Sequence, residues 1–325
     1  MSSLIEGFRI GQVSDLEAGT GVTVLLCEEG AVPGVDVRGG APGTRETDLL
    51  RPEGTVDRAH AIVLAGGSAF GLAAADGVVR WLEERGIGWP TVAAKVPIVA
   101  SAILYDLNLG RPDVRPDAAM AYRACDLATN KRPASGVAGA GTGATLAKLL
   151  GPERALKGGL GFAEDRLDSG IVVQAVMAVN AIGSVVDPAS GEVVAAPRGE
   201  RPGSFEDSLD LLRRGAVLKA SKTIAANTVI GIVMTNAALT KQEATRVAIM
   251  AQNGISRTVI PAQTTGDGDT VFVMAHGDIE VEQGALSAVG AIAAAAVEAA
   301  VLDAARSATG LHGLPSASEW RARAT

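Results

Sequence analysis

Asn227 and Thr228 stand where a polar stretch turns abruptly apolar: Pro197 to Ala226 carries Arg, Gly, Pro and Lys throughout, and VIGIVM follows Thr228 without a break. A threonine placed there has one special chemistry open to it. Were the bond before it cut, its hydroxyl would attack and its new α-amine, pKa roughly 7.7 to 8.0 when unperturbed, would take the proton near neutral pH. Left internal, it is an ordinary strand-initiating threonine. Both readings stand on position alone. Other catalytic sets fare worse. His60, His276 and His312 are too scattered for a metal-ligand set or a serine-histidine relay. Gly66-Gly67-Ser68-Ala69-Phe70-Gly71 follows a strand pattern, where a nucleophile elbow would sit, but Phe70 occupies the place the elbow keeps for glycine. Ser68 is expected instead to cap the helix after it. The glycine run from Gly139 to Ala144 has the look of a dinucleotide loop, yet no clear strand leads into it and no later strand carries a ribose-binding acid.

The elements that must position such residues follow from pattern. GVTVLLC at Gly21–Cys27 and Ala31–Val37 read as two antiparallel strands, and AHAIVLA at Ala59–Ala65 as a buried strand running into a helix from Ala69 to Arg85. Asp117 to Ala128 is a helix, and the glycine run leads into a short helix that contains Lys148. SGIVVQAVMA at 169–178 is a strand buried on both faces, with Asn180 where it ends. A hairpin spans Gly183–Val186 and Glu192–Ala195, a helical piece lies near Phe205 to Arg214, and a helix runs from Lys241 to Asn253. The acidic turn Thr265–Asp269 precedes a strand at Thr270–Ala275. Gly284 to Leu302 is nearly all apolar, but it is Ala-rich and broken by Glu298, so it reads as a helix buried in the fold rather than a membrane span. Strands and helices interleave without a steady βαβ rhythm, which favours an α+β layered sandwich.

Composition bounds the function. With 29 Lys+Arg against 36 Asp+Glu, a net charge of −7 and no basic run longer than two residues, the chain lacks the clustered positive face a nucleic acid requires. The chain is 47% hydrophobic but only 3% aromatic, so its core is Ala, Val, Leu and Ile around 40 glycines. Cys27 and Cys125 lie far apart and Met1–Gly7 carries no apolar signal segment, so a cytoplasmic protein without disulfides is expected.

Five segments occur together and in order: Gly21–Val24, Ala61–Leu72, Ala140–Thr145, Asn227–Ile230 and Asp267–Phe272. In these the chain resembles the L-aminopeptidase/D-esterase (DmpA-type) family, over roughly Gly7 to Gly310. That family includes β-peptidyl aminopeptidases and nylon-oligomer hydrolases. The resemblance implies a four-layer αββα sandwich similar to N-terminal-nucleophile hydrolases, a single domain made as a precursor and cut into residues 1–227 and 228–325. It assigns Thr228 as nucleophile at the Asn227-Thr228 bond. It assigns Asn180 as the amide that stabilises the oxyanion, for which a neutral N–H is suited because the charge grows only in the transition state. Lys148 matches a lysine of the nylon-oligomer branch that would hold the threonine amine as free base. Asp267 and Asp269 match an acidic pair of that branch, and Tyr105 a tyrosine of the substrate pocket. The cut at Asn-Thr rather than Gly-Ser is that of the nylon-oligomer and pantetheine-type amide hydrolases. The implied protein is a self-processing amidohydrolase that forms an acyl-threonine on a small amide or peptide. No cofactor, metal, nucleic acid or membrane is expected, and processed heterodimers are expected to associate further. The alternatives are an acyltransferase of the ornithine-acetyltransferase kind, which shares autocleavage, and a ligand-binding protein built on the two glycine loops.

Overall fold

The computed structural model describes residues 3–215, 227–282 and 284–324. The last part of the polar stretch before Asn227 lies outside these residues.

Eight strands and four helices carry the architecture. The first is β1 (Arg9–Asp15), followed by β2 (Thr20–Val37), β3 (Ala59–Ala65), α1 (Ala74–Glu83), β4 (Val99–Ile103) and α2 (Ala118–Asp126). Next come β5 (Gly159–Arg166), β6 (Val172–Asn180), β7 (Thr228–Ala238), α3 (Lys241–Thr258), β8 (Thr270–Glu280) and α4 (Leu286–Ser307). The strand order is β5-β6-β7-β8-β2-β3-β4, closed by the edge pair Thr44–Arg45, with β1 alongside β2. The pairs β7/β8 and β3/β4 are parallel and the other pairs antiparallel.

What the pattern reads as two strands is one, the 18-residue β2. Its first half pairs with β3 and its last with β8, and the register shifts between Leu26 and Ala31. Gly30, at φ 80°, supplies the backbone that lets the strand leave one sheet for the other.

Period-two alternation then builds the layers. Val22, Val24, Ala61, Val63 and Ala65 face α1 and α2. Leu25, Ile62, Leu64, Ala100 and Ala102 face the other way and meet Val176, Ala178, Ile230, Ile232, Phe272 and Met274 of the second sheet. The outer face of that sheet, with Val173, Ala175, Val229, Val233, Val271 and Val273, packs under α3 and α4. This is the αββα order. Each fully buried Val, Leu or Ile contributes about 1.5 to 3 kcal/mol, so the central layer alone outweighs any surface ion pair.

α3 begins with a capping box, Thr240 accepting from Glu243 and Glu243 reaching back. α4 is long and apolar enough to cross a membrane by length and composition alone. Here its alanine-rich face lies buried with α3, β5 and β6.

Two local expectations fail. Ser68 does not cap α1. It lies in a left-handed conformation (φ 54°) at the start of a 3-10 turn, Ser68–Ala73, with its N–H spent on Leu104 O. Lys148 is not on a helix. Thr145–Leu146 pairs as a short strand with Leu156–Lys157, and Ala147 is left-handed (φ 57°), which stops any helix before Lys148.

Candidate active site

Three strand ends meet at one edge of the second sheet. Asn180 is the last residue of β6, Thr228 the first of β7, and the two are register partners. β8 runs parallel to β7, so the turn that leads into it arrives at the same edge, where Asn227 and Asp267 form a parallel bridge. Residues just past β2 strap this turn: Arg38 N–H donates to Asp269 O (2.7 Å) and Ala41 N–H to Asp267 O (2.9 Å). Inside it, Thr264 N–H donates to the Asp267 carboxylate (2.6 Å).

Thr228 is buried, and in the uncut chain its hydroxyl folds back to donate to Asn227 O at 2.5 Å. The nucleophile candidate thus lies over the peptide bond that precedes it. Directly after it, Val229 N–H donates to Asp269 Oδ1 (2.7 Å), while Asp269 Oδ2 accepts from Gln263 N–H (3.0 Å). One carboxylate therefore ties the start of β7 to the acidic turn.

The Asn180 amide has a defined orientation. Its Oδ1 accepts from Thr145 N–H (3.0 Å), Thr145 Oγ1 (3.1 Å) and the Lys148 ammonium (2.9 Å). Its Nδ2 donates to Tyr105 O (3.0 Å). Turning the amide over would set its NH₂ against three donors and its oxygen against a carbonyl, so the environment permits one orientation. Lys148 also donates to the main-chain oxygen of Asn180 (2.8 Å).

Burial dominates the electrostatics. It lowers the Lys148 pKa to about 7, against the pull of Asp267 and Asp269. It raises Asp269 to about 7, helped by the negative charge of Asp267 and opposed by its two N–H donors. Burial thus pushes the lysine and the carboxylate of this site each toward its neutral form.

The structure brings Thr228, Asn180, Lys148, Asp267 and Asp269 to one edge. Tyr105 joins them by its carbonyl, and its hydroxyl reaches Asn108 at the surface (3.4 Å). Thr145, which holds the Asn180 oxygen twice, is a contact that residue type did not single out, although it closes the Ala140–Thr145 segment. A cavity of about 520 Å³ lies at the opposite end of these strands, by Gln174, Asn236 and His276, away from Thr228.

The family model of peptidase family S58 matches residues 4–317. The chain belongs to peptidase family S58. It is a hydrolase of amide or peptide bonds. Among its relatives is an uncharacterised aminopeptidase of Mycobacterium tuberculosis (strain ATCC 25618 / H37Rv), 41% identical over 336 residues, 96% of this chain and 95% of that one. A 6-aminohexanoate-oligomer endohydrolase of Kocuria sp. (strain KY2) is 32% identical over 310 residues, 92% of this chain and 84% of that one. The solved L-aminopeptidase D-Ala-esterase/amidase of Ochrobactrum anthropi, reported as a variant of the Ntn hydrolase fold, superposes with a TM-score of 0.72. The match covers 96% of this chain and 87% of that one at 19% identity. A Burkholderia sp. beta-aminopeptidase gives 0.71 at 22% identity, over 98% and 90%. At such identities these two structures speak to the fold alone.

Proposed function

We propose that the chain is a self-processing hydrolase whose nucleophile is Thr228, acting on a small amide or peptide. The observation that carries this reading is the pairing of Thr228 with the oriented amide of Asn180 at the edge of β6 and β7. In the first reaction, Thr228 Oγ1 attacks the carbonyl carbon of Asn227. The bond to the Thr228 nitrogen breaks, the hydroxyl proton passes to that nitrogen, and an ester forms. Water then hydrolyses the ester, leaving a carboxylate on Asn227 and a free amine on Thr228. The products are chains 1–227 and 228–325.

In the second reaction that amine is the base. It takes the proton from Oγ1 as the oxygen attacks the substrate carbonyl, then gives it to the departing amine. The Asn180 N–H faces the developing oxyanion, a role worth about a hundred- to a thousand-fold in rate. Lys148 holds the Asn180 oxygens, and Asp269 fixes the backbone next to the nucleophile. Water releases the acyl group from Thr228, with the same amine as base.

Membership of a peptidase family favours hydrolysis over acyl transfer or simple ligand binding. The relatives' names span aminopeptidase and oligomer endohydrolase, so the amide is the common chemistry. We further propose a cytoplasmic oligomer of processed heterodimers; Cys27 and Cys125 are free buried thiols, which fits a reducing compartment. Intact mass measurement of purified, active protein tests the core of the proposal. Two fragments cut apart between 227 and 228 are expected, the smaller beginning Thr-Val-Ile-Gly. Active protein made only of the uncut chain overturns it.

A further inference from the structure

Lys157 and Asp106 form a second buried charged set that the reaction above does not use. Lys157 is completely buried, and its ammonium donates to Gly141 O (3.1 Å), Ala144 O (2.6 Å) and Gly158 O (2.8 Å). An ammonium has three N–H donors, and all three are spent on main-chain carbonyls. Asp106, also buried, accepts from Thr20 Oγ1 (2.7 Å) and from Gly67 N–H (2.7 Å). The two glycine loops that match no nucleotide motif are what make room for it. A Cβ on Gly66 would lie 1.9 Å from Asp106 Oδ2, and one on Gly143 would lie 2.4 Å from Asp106 Cβ. Burial lowers Lys157 to about 7 and raises Asp106, and each opposes the other's shift.

The link to Asn180 runs through two peptide groups. The Ala144–Thr145 peptide accepts from Lys157 at its carbonyl and donates from its N–H to Asn180 Oδ1. On the other side, Tyr105 O accepts from Asn180 Nδ2, and the next residue is Asp106, pinned to Thr20 and to the Gly66–Gly67 turn. The oxygen end of the amide thus rests on a peptide held by Lys157, and the nitrogen end on a peptide held by Asp106. An ion buried without a contacting counter-ion is costly, so an apolar side chain would be the simpler filling were packing its only task.

We propose that Lys157 and Asp106 are positioning residues that fix the Asn180 amide from both ends, so that its N–H is aimed before charge develops on the substrate. The inference rests on the oxyanion role of Asn180. Both loops brace a single side chain, and the charged pair stiffens the peptides that touch it.

The test is a double-mutant cycle on processed enzyme, using Lys157→Met, Asn180→Ala and the pair, with a small anilide as substrate. Lys157→Met should lower kcat about tenfold or more with KM nearly unchanged, and should cost less than about twofold in the Asn180→Ala background. Equal fold losses in both backgrounds assign Lys157 to the fold and overturn the proposal, while leaving the function of Thr228 and Asn180 intact. If Asn180→Ala alone leaves kcat unchanged, the oxyanion role fails and the positioning role falls with it. Should Lys157→Met not fold, Asp106→Asn, which keeps volume and polar atoms, enters the same cycle with the same expected non-additivity. Loss of folding in both single variants shows a purely architectural pair and also overturns the proposal.

Discussion

Asn180 and Thr228 face each other across the last rung shared by β6 and β7, one closing its strand and the other opening its own. Opposed residues of an antiparallel pair have Cα atoms about 4.5 to 5.5 Å apart, so the ladder itself sets the distance between amide and hydroxyl. A slip of one residue would turn every side chain of β7 to the wrong face. Val229 and Val233 face the helices while Ile230 and Ile232 face the opposing sheet, so the hydrophobic alternation that builds the core also aligns the chemistry.

That relationship predicts the effect of Asn180→Ala. Removing a donor aimed at an oxyanion lowers kcat on the order of a hundred- to a thousand-fold, with KM similar. The measurement is steady-state kinetics on material shown by mass to be cut. A kcat equal to that of the parent enzyme removes Asn180 from the reaction.

Thr228→Ala should leave one uncut, inactive chain, because the same hydroxyl makes the first attack and all later ones. Thr228→Ser keeps the oxygen and should be cut at least in part. Gel analysis with terminal sequencing distinguishes these outcomes, and cleavage at 227/228 in the alanine variant would place the nucleophile elsewhere.

Lys148 loses its ammonium as pH rises through about 7, which weakens its hold on both oxygens of Asn180. The basic side of the kcat–pH profile is therefore expected to belong to it. Lys148→Met should lower kcat about tenfold or more and flatten that side. An unchanged descending limb in the variant assigns the titration to another group.

Asp269 yields a prediction about stability. Its folded pKa, about 7, lies above the ordinary 3.8, so the folded chain binds this proton more tightly than the unfolded one. The stability it contributes is complete below the ordinary value and is lost as pH rises through about 7. Asp269→Asn carries no such proton, so in the uncut Thr228→Ala chain, where unfolding yields a single chain, its Tm should decline less than the parent's between about pH 5 and 7. Identical slopes in scanning calorimetry would rule out this linkage.

Much of the candidate site is legible in the chain because Asn180, Thr228 and the acidic turn lie at strand ends, and strand ends are where composition changes. Asn227-Thr228 marks one such switch, and Asp267 with Asp269 marks another just before β8. The pattern puts Lys148 on a helix because a short strand of Thr145 and Leu146 has no period to read; only its pairing with Leu156 and Lys157 defines it. The pattern divides the long β2 in two because Glu28, Glu29 and Gly30 look like a turn, whereas in the fold they mark the passage between sheets. Thr145, Asp106 and Lys157 stayed hidden for a different reason. Their roles depend on peptide groups and glycine gaps that residue type does not announce.

The place of β7 and β8 in the sheet bears on what happens after a cut at 227/228. Both strands belong to the smaller product, yet they are flanked by β6 on one side and β2 on the other, both from the larger one. The smaller product, with α3 and α4 over it, therefore sets two strands in the middle of its partner's sheet, and it cannot leave without splitting that sheet. Dilution should not separate the pieces while they are folded. Once melted, two chains must find each other again where one sufficed before. Folding would thus become a step the protein takes once, and its lifetime would be set by the rate of unfolding rather than by an equilibrium.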